Sequence, residues 1–140
     1  MTTRHILLMD EKPIIYISDF ISELLEELED THVTALDTLL EDVAEIEKLQ
    51  PDLILMALRM DGTQQRVWTC VQHLKSHQAT KDIPIVLCGH NLIGVFAYLE
   101  REQGPILTLP GVEFLSQPFD ADSVLSRLRQ LLALADPPSG

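Results

Sequence analysis

Strand-like apolar runs alternating with helical patterning constrain this chain more than any single residue does. His5-Ile6-Leu7-Leu8-Met9, Leu53-Ile54-Leu55-Met56-Ala57 and Ile83-Pro84-Ile85-Val86-Leu87-Cys88 are short and almost continuously apolar. Strands covered on both faces have this texture, because neither face can afford a run of polar side chains. Between the runs the period changes. Over residues 14–29, Ile17, Ile21, Leu24 and Leu28 recur at spacings of three and four, with Asp19, Glu23, Glu26 and Glu27 on the other side. That is an amphipathic helix.

The same alternation continues to the end. Residues 32–36 read as a second strand of alternating character, and Leu39, Leu40, Val43, Ile46 and Leu49 mark a second helix. Val67, Trp68, Val71 and Leu74 predict a third helix stopping near Ser76. Residues 92–102 give a fourth, and residues 112–116 a fifth strand. Asp120 can cap a last helix whose buried stripe is Val124, Leu125, Leu128, Leu131 and Leu132. Five βα units predict an α/β domain with a doubly wound parallel sheet. The flavodoxin-like (βα)5 arrangement, strand order 2-1-3-4-5, fits that count and sets a crevice between strands 1 and 3. Residues 1–135 form one domain, and the tail Asp136-Pro137-Pro138-Ser139-Gly140 has linker composition.

Composition narrows the function. The chain has 140 residues, 46% of them hydrophobic, and a net charge of −12. That balance is wrong for nucleic acid, whose phosphates require a basic footprint. Residues 1–50 hold thirteen Asp/Glu against three Lys/Arg. This makes a solvated acidic face or, on a sharper reading, an acidic partner surface. No apolar run approaches the roughly 20 residues of a membrane span. Cys70 and Cys88 are too few and too far apart for a disulfide framework or a zinc spacing. A cytoplasmic domain with no membrane contact is expected.

Chemistry in such a sheet gathers where the strands end. Strand 1 is followed by Asp10 and Glu11, whereas strand 3 ends on Ala57, a methyl group that supplies neither charge nor nucleophile. The segments Ile6-Leu7-Leu8-Met9-Asp10-Glu11-Lys12-Pro13, Pro51-Asp52-Leu53-Ile54-Leu55-Met56-Ala57-Leu58-Arg59-Met60, Ala79-Thr80-Lys81-Asp82-Ile83-Pro84-Ile85-Val86 and Phe114-Leu115-Ser116-Gln117-Pro118-Phe119-Asp120 occur in that order. Together they resemble the receiver domains of two-component response regulators, over roughly residues 4–135. The resemblance implies Mg2+-dependent phosphorylation of an aspartate ending strand 3. Two acids after strand 1 would hold the ion, a Thr or Ser after strand 4 would contact the phosphoryl group, and a Lys after strand 5 would pair with it.

Here Asp10 and Glu11 keep the acid pair, but the acceptor position is Ala57, the hydroxyl position Gly89 and the lysine position Gln117. Ala57 has no oxygen to phosphorylate, Gly89 has no hydroxyl, and Gln117 brings hydrogen bonds without charge. The resemblance is therefore to a degenerate pseudo-receiver with no catalytic residues and no cofactor. Asp10 and Glu11 alone make at most a weak Mg2+ site, since that ion gives up water reluctantly. Asp61, four residues past Ala57, belongs to the turn chemistry of Asp61-Gly62. The resemblance also implies a cis Gln117–Pro118 bond and gives Phe114 the switch-aromatic position. Without a phosphoryl trigger, Phe114 is expected to be a fixed core aromatic.

Cys88 is expected to act as a small buried hydrophobe. His5, His32, His73, His77 and His90 read as solvated; His73 and His77, four apart on one helix, are two ligands at most. The fourth helix is apolar around much of its circumference, with Phe96, Tyr98 and Leu99, and is followed by a long segment over residues 104–111. The resemblance implies a homodimer through the fourth helix, fifth strand and last helix. The function expected is a phosphorylation-independent signalling domain acting on a protein partner of a two-component or related pathway, without enzymatic activity. The alternative is a small-molecule or nucleotide binder using the strand-end crevice, although Asp10-Glu11-Lys12-Pro13 stands where a glycine-rich phosphate loop would. The chain also suits one domain of a longer protein.

Overall fold

The computed structural model describes residues 3–9, 26–28, 30–36, 40, 42–58, 64–89, 94, 97–98, 100–101, 111–116 and 120–135. Five strands are present: β1 (Arg4–Met9), β2 (Thr31–Leu36), β3 (Leu53–Ala57), β4 (Ile85–Gly89) and β5 (Val112–Ser116). They form one parallel sheet in the order β2-β1-β3-β4-β5, which is the flavodoxin-like order expected from the sequence. Three helices are described along their length: α1 (Val43–Leu49), α2 (Gln64–Ser76) and α3 (Ala121–Ala135).

The alternation of side chains along each strand divides the core into two layers. On one face Leu7, Met9, Ile54, Met56, Ile85 and Leu87 pack with Val43 and Ile46 of α1 and with Val67, Trp68, Val71 and Leu74 of α2. On the other face Ile6, Leu8, Leu53, Leu55, Val86 and Cys88 meet Val124, Leu125, Leu128, Leu131 and Leu132 of α3. Every residue of β3 and β4 is buried. That double covering is why those strands read as continuous apolar runs, and burying each large aliphatic side chain is worth about 1.5–3 kcal/mol.

Local signals set the helix ends. Asp42 caps α1, its side chain accepting from the Ala44 N–H at 2.9 Å. Gln50 closes the same helix in the left-handed conformation (φ 50°), and Pro51 follows. Glu45 in its first turn and Lys48 in its last complement the helix dipole. For α3, the Asp120 carbonyl accepts from the Val124 N–H at 3.0 Å and its carboxylate accepts from the Ser123 hydroxyl, so Asp120 does stand at the cap.

Two expectations need correction. The helical period carries the first helix to Glu29, but residues 26–28 form a turn. Leu28 is buried all the same, against the α3 side of the core, so its place in the apolar series reflects packing and not helix. His5 is not a solvated histidine: it is half-buried and fully engaged, as described below. Residues 10–25, the Gln117–Pro118 bond, Asp61, His90 and residues 104–110 lie outside the described residues. No described helix is long and apolar enough to cross a membrane.

Candidate functional site

The strand order brings the C-terminal ends of β1, β3 and β4 side by side. Met9 is in register with Met56, Ala57 with Cys88, and Gly89 with Ser116 of β5. Ala57 shares a sheet face with Leu53 and Leu55, and is 7% exposed. Directly after it the Leu58 N–H donates to the Cys88 carbonyl at 2.8 Å, and the Leu58 side chain is wholly buried. Met9 is buried too, its Sδ accepting from the Leu40 N–H at 3.4 Å.

Met9, Ala57, Leu58, Cys88 and Gly89 thus close the three central strands without a carboxylate, amine or hydroxyl. Asp10 and Glu11 follow Met9 in the chain and Gln117 follows Ser116, and all three lie outside the described residues. Cys88 is a buried thiol outside any disulfide, within the apolar layer beneath α3, as expected of a small hydrophobe. Among the described residues no three His, Cys, Asp or Glu side chains gather as a metal site.

Phe114 of β5 lies in register with Leu87, half-buried against the layer that holds α2. Of the three residues expected on a dimer face, Phe96 and Leu99 fall outside the described residues. Tyr98 is half-buried, packs on the same layer, and accepts a hydrogen bond from Gln65 Nε2 of α2 at 3.1 Å.

The opposite end of the sheet is where polar side chains converge, and the sequence pattern gave little warning of it. The His5 N–H donates to Asp52 Oδ2 at 2.8 Å, while the Asp52 N–H donates to the His5 carbonyl at 2.7 Å. The His5 ring bridges three segments. Nδ1 lies 2.8 Å from the Leu49 carbonyl and Nε2 2.7 Å from Thr34 Oγ1, and His32 stacks on the ring at 5.2 Å. Because a carbonyl only accepts, Nδ1 donates to Leu49, and Nε2 shares the second hydrogen bond with the Thr34 hydroxyl.

Lys75, at the end of α2, plays the matching role under β4 and β5. Its Nζ donates to the Ile83 carbonyl at 2.7 Å and the Lys81 carbonyl at 3.1 Å. Burial pushes the ammonium below the ordinary lysine range, partly offset by Asp82. Thr80, 1% exposed, donates its hydroxyl to the Leu74 carbonyl at 2.7 Å. Gly111 enters β5 at φ +80°, where an added Cβ would stand 2.7 Å from Lys75 Nζ. On β5 itself, Arg127 of α3 grips Glu113 through Nε and Nη2. The guanidinium is raised further above its ordinary value, first by that hydrogen bonding. A signal for the lysine did exist: a cation in the last turn of a helix, just before a strand, is placed to satisfy loose carbonyls.

No family model matches the chain. A curated relative, the DNA-binding dual master transcriptional regulator RpaA of Synechocystis sp., is 31% identical over 134 residues. That match takes in 94% of this chain, and the chain spans about half of the relative's length. Among solved structures, the receiver domain of the sensor histidine kinase PA1611 from Pseudomonas aeruginosa superposes with a TM-score of 0.67 at 20% identity, covering 94% of this chain and 99% of that one. The signal receiver domain of a histidine kinase from Syntrophus aciditrophicus gives 0.67 at 18% identity, over 98% and 96%. The chemotaxis response regulator CheY4 of Vibrio cholerae gives 0.63 at 17% identity, over 93% and 99%. With the strand order and register, these likenesses make the chain a domain of the response-regulator receiver fold.

Proposed function

We propose that this receiver-fold domain signals without being phosphorylated, through contacts with a protein partner of a two-component or related pathway. The observation that carries the reading is Ala57 at the end of β3, buried and without a side-chain oxygen. Phosphoryl transfer to a side chain needs a nucleophile, and stabilising the resulting dianion needs a cation and donors around it. Gly89 at the end of β4 offers no hydroxyl, and Gln117 has no charge. With the acceptor, the hydroxyl and the ammonium all replaced, Asp10 and Glu11 have nothing to assist. The domain has no reaction of its own on this reading. A net charge of −12 opposes contact with nucleic-acid phosphates, so the partner is a protein. The cytoplasm is the compartment in which such a domain would work.

The test is an intact mass measurement after incubation with Mg2+ and a small acyl-phosphate donor. The mass is expected to stay unchanged, whereas a stable adduct of phosphate mass would overturn the reading. A homodimer through the face carrying Phe96 and Tyr98 is part of the proposal. Light scattering should show a Phe96→Glu variant at half the mass of the parent chain; equal masses would remove that face from the mechanism.

A further inference from the structure

The sheet has two edge strands, and they are built differently. On β5 the edge carries Glu113, held by Arg127 of α3. The other edge, β2, reads Thr31-His32-Val33-Thr34-Ala35-Leu36. It holds no Lys, Arg, Asp, Glu or Pro, and its register with β1 runs unbroken over all six residues, so no bulge bends it away. Charge, proline and bulges are the devices that stop an edge from pairing with a further strand. The Arg4 N–H donates to the Asp30 carbonyl at 2.8 Å, and successive residues of a strand turn their backbone groups to opposite sides. His32 and Thr34 therefore bond to β1, while Val33 and Ala35 turn N–H and C=O outward. No described strand lies on that side. Val33 and Leu36 pack on opposite layers of the core, so an added strand with alternating apolar side chains would lengthen both.

Charge selects the occupant. From residue 13 to residue 47 the chain has eleven Asp/Glu and no Lys or Arg. Glu26, Glu27 and Asp30 before β2, and Asp42, Glu45 and Glu47 after it, are exposed. Arg4 and Arg129 line a cavity with Asp30 and Thr31, at the first residue of the strand. A second copy of the chain would bring the same acids against these, whereas a basic segment would meet its complement. We propose that the β2 edge takes an extended segment of a partner protein as a sixth strand, with β-branched residues at its centre and Lys or Arg at its ends. Main-chain hydrogen bonds at Val33 and Ala35 hold the segment, and the surrounding carboxylates select it. This inference rests on the protein-contact role proposed above and names a surface for it.

The probe is a fluorescein-labelled peptide, Lys-Lys-Val-Thr-Val-Thr-Val-Lys-Lys, titrated with the full chain and followed by anisotropy. One control peptide has Pro in place of both Thr, which keeps the charge but cannot form a ladder; another has Glu in place of every Lys. The lysine peptide is expected to bind, less tightly as salt rises, and to slow amide exchange at Val33 and Ala35. Both controls should fail to bind. Ala35→Pro removes an outward N–H and leaves the β1 ladder intact, so it should weaken binding at least about tenfold. Ala35→Lys, which charges the edge, should act in the same direction. The exchange pattern of the parent chain decides the matter even where a variant melts early. Absence of binding, equal binding of the proline peptide, or protection confined to residues outside β2 would overturn the assignment. So would a dimer of the parent that Ala35→Pro makes monomeric in light scattering, since a second copy would then occupy the edge. A phosphate adduct would remove the phosphorylation-independent reading and leave the peptide result standing, so the two can fail separately.

Discussion

The two ends of this sheet are built from opposite materials. Where the central strands finish, the described residues are Met9, Ala57, Leu58, Cys88 and Gly89, all buried and none acidic or basic. Where the strands begin, His5, Asp52, Thr80, Lys75 and Gly111 tie loops and helix ends together through hydrogen bonds of 2.7–3.1 Å. In a fold that usually concentrates chemistry at the finishing end, the contrast says which polar groups are kept for architecture. Among the described residues, it is at the starting end that polar side chains fasten the strands to loops and helix ends.

Three substitutions and one titration can break or sharpen that contrast. The largest effect is expected at Gly111. A Gly111→Val chain must hold a β-branched residue at φ +80° and displace Lys75 Nζ from its two carbonyls. A loss of about 2–3 kcal/mol is expected in urea unfolding; a chain as stable as the parent would mean that this end tolerates change. Next comes Thr80→Val, which keeps the shape but removes the donor to the buried Leu74 carbonyl. It should cost about 1–2 kcal/mol in the same measurement. His5→Phe preserves a ring over His32 while abandoning Leu49 and Thr34, and about 1 kcal/mol is expected because the site is only partly buried. An unchanged urea midpoint would strip His5 of its bridging role.

The smallest effect is a pH dependence. Burial lowers the folded-state pKa of Lys75 from 10.5, so between the folded value and 10.5 the unfolded chain binds more protons than the folded one. Stability contributed by Lys75 must therefore rise as pH climbs through that window and level off above it. The difference in unfolding free energy between the parent and Lys75→Met, followed from about pH 8 upward, should grow with pH. A difference that shrinks would place the ammonium in a site that favours its charge.

The starting end of the sheet was also the part hardest to foresee. The strands were legible because burial on both faces leaves runs such as Leu53–Ala57 and Ile85–Gly89 with no polar interruption. Helix α2 was legible from the spacing of Val67, Val71 and Leu74, and the cap of α3 from Asp120. The position of Ala57 was legible too, as the last residue of a recognisable strand. The staples are different. His5 meets Leu49 and Thr34 across separations of 44 and 29 residues, which no local period encodes. The end of the first helix misled for a related reason: Leu28 fits a helical series but is buried from a turn.

Trp68 gives the molecule a built-in optical reporter. It is the chain's one tryptophan, 2% exposed within the α2 layer, and its indole Nε1 has no hydrogen-bond acceptor among the described residues. An indole in such dry surroundings should emit at short wavelength when folded and shift to the red when water reaches it. Every substitution discussed above leaves that fluorophore in place, so loosening at either end of the sheet can be followed by the colour of a single residue in the middle.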